Sequence, residues 1–329
     1  MTPLQSAVQD AVRSHWPDAS VRSIDVLQGG RSGVTLLAEL DGAPQGSVVI
    51  KAAPAGRAPV GRHDVLRQAR VLQAAAEVDR VVVPAVIATG TDPVHFVVMT
   101  RAVGEAVEPV LDAAEVRLPA PLVAARATVA ARMLAVLHRD AAIPSQPDGS
   151  VEPIADLASE VHRWRTTADA ADPAILVDGV HLARLLGKTM PADDVAPVLV
   201  HGDYRLGNIV FDGGVPTGLI DWEIWGRTHP GVDLGWFLVF CDASLFPGIG
   251  LPVEGLPSSG DLLGLYWGAG GIRFEHVAWF EAFGRFKMAA IMAHNLRRHR
   301  EGRHVDPFQE KLPPTIRQLV ETGIAKLEA

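Results

Sequence analysis

Apolar and polar positions change their rhythm along this chain. In MTPLQSAVQDAVRSHW (1–16) the apolar residues recur at helical spacing and predict an amphipathic helix. The period then shortens. VRSIDVLQ (21–28) alternates as a half-buried strand does, and VTLLAEL (34–40) and SVVIKAA (47–53) read as further strands. The links between them, GGRSG (29–33) and DGAPQG (41–46), are short turns, which predicts antiparallel pairing. RHDVLRQARVLQAAAEV (62–78) returns to helical spacing, and 86–89 and 95–100 read as two more strands. The first hundred residues therefore predict a small antiparallel sheet with a helix packed on it.

From Ala102 onward helical patterns dominate. Helices are expected at 121–139, 154–171, 276–300 and 312–328, with a short one near 180–187 inside an Asp-, Pro- and Gly-rich stretch. Short strands at 198–200, 209–212 and 217–221 interrupt them, the last two joined by Gly213–Gly214. Residues 246–261, FPGIGLPVEGLPSSGD, read as a surface loop. There is no internal repeat. The expected class is α+β, with a sheet-bearing lobe at 1–101 and a larger, mostly helical lobe at 102–329; 329 residues suit two such units.

Composition narrows the function. A net charge of −8 argues against a general nucleic-acid-binding surface. One cysteine, Cys241, excludes an intrachain disulfide and a cysteine metal cluster; following the apolar run 236–240, it reads as an inert buried thiol. The N-terminus lacks a basic region followed by an apolar core, and the most apolar long stretch, 119–137, carries Arg126 and Arg132. A cytoplasmic protein without nucleic-acid or membrane partners is the expectation; oligomeric state has no signal. The histidines show no zinc spacing. GKT at 187–189 is no phosphate loop, because Leu182 stands where such a loop needs glycine.

The chemistry concentrates in HGDYRLGN (201–208), at the mouth of an apolar stretch. Phosphoryl transfer asks for an aligned hydroxyl, a divalent ion on the polyphosphate and charge compensation. Asp203 can orient a hydroxyl, and Asn208 stands at the spacing of the asparagine in the kinase catalytic loop H-R-D-x-x-x-x-N. Asp221 ends the apolar strand TGLID (217–221), and a hairpin over Gly213–Gly214 would bring it beside Asn208. Magnesium, which takes oxygen ligands and keeps water on the rest, needs only two such side chains.

LVHGDYRLGNIVFDGGVPTGLIDWEIWGRTHPGVDLGWF (199–237) resembles the central motif of the aminoglycoside phosphotransferase and choline-kinase-like family. Its nearest likeness is to the branch related to kinase-like domains attached to some acyl-CoA dehydrogenases. The resemblance follows nearly the whole chain in order and implies a bilobal protein-kinase-like fold. It also implies ATP, with GTP not excluded, and Mg²⁺, with phosphoryl transfer to a small-molecule hydroxyl. By it Asp203 is the catalytic base or the carboxylate that orients the hydroxyl, Asn208 and Asp221 are metal ligands, and His201 and Asp233 support the loop. Lys51 in VVIKAA meets the α- and β-phosphates. Gly29, Gly30, Ser32 and Gly33 form the phosphate-covering turn. Met99 backs the adenine pocket, with Thr100 to Ala102 as hinge. Trp222 and Glu223 are candidate acceptor contacts. Arg205 meets phosphate, acceptor or a neighbouring carboxylate.

Three features depart from the expected pattern, one being that the turn GGRSG lacks the alternating G-x-G-x-x-G of protein kinases. Gln68 in LRQARVL replaces the helix glutamate that pairs with the strand lysine, and His229 in THP replaces an acid. The helix sequence LRQARVLQAAA (66–76) offers no acid to pair with the lysine, so Lys51 is expected to lack a carboxylate partner. A nucleotide-binding pseudokinase is the alternative function. The acceptor stays open among aminoglycosides, hydroxyacyl thioesters, macrolides, choline and sugars. RRHREGRH (297–304) reads as a solvated basic helix end.

Overall fold

Helix α1 (Pro3–His15) begins where Thr2 and Gln5 exchange hydrogen bonds, the Gln5 N–H to the Thr2 hydroxyl at 3.2 Å and the Thr2 N–H to Gln5 Oε1 at 2.7 Å. It lays Val8 and Val12 on a five-stranded antiparallel sheet built from β1 (Ser20–Val26), β2 (Val34–Asp41), β3 (Ser47–Ala52), β4 (Val86–Gly90) and β5 (Phe96–Thr100). The strand order is β1-β2-β3-β5-β4. Alternate residues Leu36, Ala38 and Leu40 of β2 and Val48, Ile50 and Ala52 of β3 face α1. The intervening residues of β3, Val49 and Lys51, therefore face the other way. On that face lies α2 (Val65–Ala76), capped by the Asp64 carboxylate, which accepts from the N–H groups of Leu66 and Arg67 at 3.0 Å each. The structure is a computed structural model that describes residues 2–27, 34–54, 56, 60–112, 115–192, 195–249 and 252–328.

Beyond β5 come α3 (Pro109–Asp112), α4 (Ala120–Asp140), α5 (Leu157–Asp169) and α6 (Gly179–Lys188). By length and apolarity α4 could cross a membrane. Here it is apolar because Ala127, Leu134 and Leu137 pack into the main core with Ile209, Phe211 and Leu219. Strands β7 (Ile209–Asp212) and β8 (Val215–Leu219) form the expected hairpin, β7 at its expected bounds and β8 two residues nearer the turn. Strand β6 (Val198–Val200) pairs with β9 (Gly226–Thr228), which the sequence pattern did not reveal.

Three helices were also missed, the single-turn α3 and two longer ones. All ten residues of α7 (Gly231–Phe240) are buried, so no apolar stripe marks it against a polar face. The other, α8 (Ser259–Gly268), starts from a Ser258–Asp261 capping box at the end of the expected 246–261 loop, whose Phe246 is buried. Long helices α9 (Val277–Arg300) and α10 (Pro313–Glu328) close the fold. α9 crosses α7 closely at Gly235, where a Cβ would stand 2.2 Å from the Phe280 carbonyl oxygen.

Candidate active site

The loop after β6 is held from below by Asp233, in the first turn of α7 and fully buried. Its Oδ2 accepts from the His201 N–H at 2.6 Å and its Oδ1 from the Gly202 N–H at 2.8 Å; His138 Nε2 of α4 approaches Oδ2 at 3.4 Å. Burial alone would raise the Asp233 pKa, but His138, His201 and these donors outweigh it and hold the carboxyl below its usual range. His201 completes the turn. Its Nε2–H donates to the Ile220 carbonyl at 2.8 Å and its Nδ1 accepts from the Asp203 N–H at 3.2 Å, the pattern of a neutral ring. Burial favours that form by lowering the His201 pKa. Gly202 has φ +83°, and a Cβ there would lie 2.3 Å from the Ile224 carbonyl oxygen, so no other residue fits.

The Asp203 carboxylate is gripped from two sides. Trp236 Nε1–H of α7 donates to Oδ1 at 2.8 Å, and Asn208 Nδ2 donates to Oδ2 and to the Asp203 carbonyl, both at 2.8 Å. Arg205 Nε lies 3.4 Å from this carboxylate and Nη1 3.5 Å from buried Glu108. Of the partners left open for Arg205, carboxylates are the ones it meets. Burial pushes Glu108 up to about 7 against Arg205 and the Gly207 N–H. Lys287 of α9 reaches the loop from beneath, donating to the Gly202 carbonyl at 2.5 Å, with its ammonium 3.9 Å from the Trp236 ring centroid.

The β7–β8 hairpin delivers Asp221. The Ile220 N–H donates to the Asn208 carbonyl at 2.9 Å, and Asp221 follows in a left-handed conformation, φ +67°. Lys51 Nζ then lies 3.0 Å from Asp221 Oδ1 and 3.4 Å from Gln68 Oε1. The expectation that Lys51 lacks a carboxylate is thus overturned: the acid comes from the hairpin rather than from α2. Burial pulls the Asp221 pKa up, and the Lys51 charge and hydrogen bond, with His201 and Arg205, take it below the ordinary value. Trp222 is corrected too. It is 1% exposed, its Nε1–H donates to the Leu219 carbonyl at 2.9 Å, and its ring lies 4.5 Å from His201, so it is core and touches no acceptor. Glu223 is half-buried in the next turn.

Met99 is buried in β5 beside Val49 and Val86; the Thr100 hydroxyl accepts from the Ala85 N–H at 2.9 Å, and Ala102 abuts Gly218. The turn residues Gly29, Gly30, Ser32 and Gly33 lie outside the described residues. His229, a further departure, caps α7 by accepting the Gly231 N–H at 2.9 Å and stacks 4.3 Å from Phe280. Sequence reasoning treated Trp236 as core and passed over Lys287, Glu108 and His138, none of which carries a spacing signal.

A magnesium ion fits these donors. The Asn208 amide nitrogen is committed to Asp203, which turns its oxygen away from that carboxylate, and only Oδ1 of Asp221 is held by Lys51. Among the described residues no group of three or more His, Cys, Asp or Glu could hold a metal ion by itself. Two oxygens plus phosphate and water suit magnesium.

The sequence model of the phosphotransferase enzyme family matches residues 23–250. Acyl-CoA dehydrogenase family member 11 is 28% identical over 182 residues in Gallus gallus and 29% over 174 residues in Homo sapiens. Each match covers 50% of this chain, which spans only 23% and 22% of those relatives. Among solved structures, a Ralstonia eutropha protein provisionally classed as an aminoglycoside phosphotransferase superposes with a TM-score of 0.77 at 22% identity, covering 98% of both chains. A spectinomycin phosphotransferase bound to ADP and spectinomycin gives 0.60 at 12% identity, over 100% of this chain and 99% of that one.

Proposed function

Since this chain belongs to the phosphotransferase enzyme family, we propose that it moves the γ-phosphoryl group of ATP to a hydroxyl of a small molecule. Asp203, Asn208 and Asp221, from one loop and the hairpin that follows it, meet Lys51 from a strand 170 residues away, and that convergence carries the reading. The sheet-bearing part, 1–101, and the helical part, 102–329, act as the two lobes around it. Lys51 meets the α- and β-phosphates, Thr100 to Ala102 the base, and Asn208 and Asp221 would hold Mg²⁺. The ion, when bound, neutralises charge that builds on the transferred group. Asp203 orients the acceptor hydroxyl and takes its proton as the oxygen–phosphorus bond forms. The bond from the γ-phosphorus to the β–γ bridging oxygen breaks, and ADP leaves with that electron pair. His201 and Asp233 keep the loop in the geometry this needs.

The kinase-like regions of the curated relatives and the antibiotic phosphotransferases together leave the acceptor among hydroxyacyl thioesters, aminoglycoside-like antibiotics and other hydroxylated metabolites. Transfer from γ-labelled ATP, with and without Mg²⁺, across a panel of these compounds tests the reading. Labelled product from at least one compound, dependent on Mg²⁺ and on Asp203, is expected. ATP binding without transfer to any acceptor or to water would favour the pseudokinase, for which Gln68 and His229 are the supporting residues.

A further inference from the structure

Beside the catalytic loop lies a cavity of about 370 Å³, walled by α5, residues 152–155, β9 and its approach, Gly202 and Lys287. That volume suits a small ligand. Its charges do not balance. The carboxylate of Glu152 is taken by Arg67 at 2.6 Å. Glu160 faces Arg163 at 3.7 Å and accepts from Trp164 Nε1–H at 3.3 Å. Arg227 and Lys287 remain, and neither has a carboxylate within 4.0 Å among the described residues.

Hydrogen-bond donors are in surplus as well. Trp225 Nε1, Arg227 Nε and Thr228 Oγ1 are buried without a partner, and all three residues line this cavity. Trp225 is 3% exposed and Thr228 2%. Native proteins rarely leave buried donors unmet, so three on one short segment call for a complement. Surplus cations and surplus donors ask for the same thing: oxygen atoms that accept hydrogen bonds and carry negative charge.

We propose that this cavity receives a carboxylate or phosphate group of the phosphoryl acceptor, which makes the acceptor a hydroxylated anion and not a polycation. The term acceptor rests on the phosphotransferase reading; the anion rests on the cavity. The two sites are mechanically joined. Gly202 borders the cavity and precedes Asp203, and Lys287 lies against Trp236, whose N–H fixes the Asp203 carboxylate. A molecule anchored by its anionic group at Lys287 and β9 would rest against Gly202, the residue before Asp203.

Calorimetry on the full chain saturated with ADP tests this, with glycerol 3-phosphate, glycolate and uncharged glycerol titrated at constant ionic strength. Saturation with ADP keeps the anions off the nucleotide site. At least one anion should bind and glycerol should not; the phosphate and carboxylate arms tell which group the cavity takes. Arg227→Gln and Thr228→Val should each weaken that anion at least about tenfold, with ADP affinity unchanged. Anion affinity equal in parent and both variants, or no anion bound while ADP binds, overturns the proposal and leaves the phosphotransferase reading standing. Failure of ADP itself to bind counts against that reading, and the anion titrations without ADP then decide the cavity alone. An acceptor screen in which only polycationic antibiotics are phosphorylated also overturns it.

Discussion

Two lysines approach the catalytic loop from opposite sides, and they are held by different physics. Lys51 reaches in from the sheet, a fifth exposed, with Asp221 at 3.0 Å. Lys287 comes from α9, fully buried, and has a backbone carbonyl and the faces of Trp236 and Trp164 in place of a carboxylate. The first pair is partly solvated, so water screens it and its contribution to stability is small. The second is a desolvated cation whose pKa burial pushes down to about 8, at a cost the fold recovers through the loop it secures. One lysine is thus free to exchange its partner for phosphate. The other is part of the frame.

The largest effect should come from breaking the point where both networks meet. Asp203→Asn is expected to lower turnover about 10²–10⁴-fold, the usual worth of a general base, with ADP affinity little changed; steady-state kinetics and calorimetry read the two separately. Next is Lys287→Met, which removes the framing cation and its bond to the Gly202 carbonyl. Between pH 8 and the unfolded lysine value of 10.5, the folded chain has lost this proton while the unfolded chain keeps it. The parent should therefore gain stability from this group as pH rises through that window. Urea midpoints at pH 7.5 and 10 should show this gain in the parent and its absence in Lys287→Met. An identical pH response would mean that Lys287 is not a buried cation.

Smaller effects belong to the sheet side. Lys51→Met should weaken ATP binding while lowering the unfolding free energy read from urea titration by less than about 1 kcal/mol, because its ion pair is partly solvated. A large loss of stability would erase the contrast between the two lysines. Smallest of all, Gln68→Glu should change turnover by about twofold or less, since Asp221 already serves Lys51 and the added charge has no vacant role. A marked rise in turnover would show that Asp221 is not the partner that matters.

The same contrast explains what could be read from sequence. Lys51 sits on an alternating strand, and Asp203, Asn208 and Asp221 lie on one local loop and hairpin, so spacing exposes them. The partner of Lys51 was sought on the helix around Gln68, whereas it comes from 170 residues away, a distance no local pattern spans. Lys287, in RFKMAA, carries no spacing signal. It is buried because Trp164 and Trp236, from two other helices, close over it. Helix α7 escaped for a related reason: buried on every side, it has no polar face to set its period. Strand β9 is three residues long and becomes a strand only through its pairing with β6.

Cys241 ends the helix that carries Asp233 and Trp236. Its thiol is buried, and burial raises its pKa well above the ordinary value, so it offers little reactive thiolate. A thiol reagent can reach it only in molecules where the end of α7 has come away from the core. The chain has no other cysteine. The labelling rate under native conditions is therefore a clock for that opening, and it counts how often the support beneath the catalytic loop lets go.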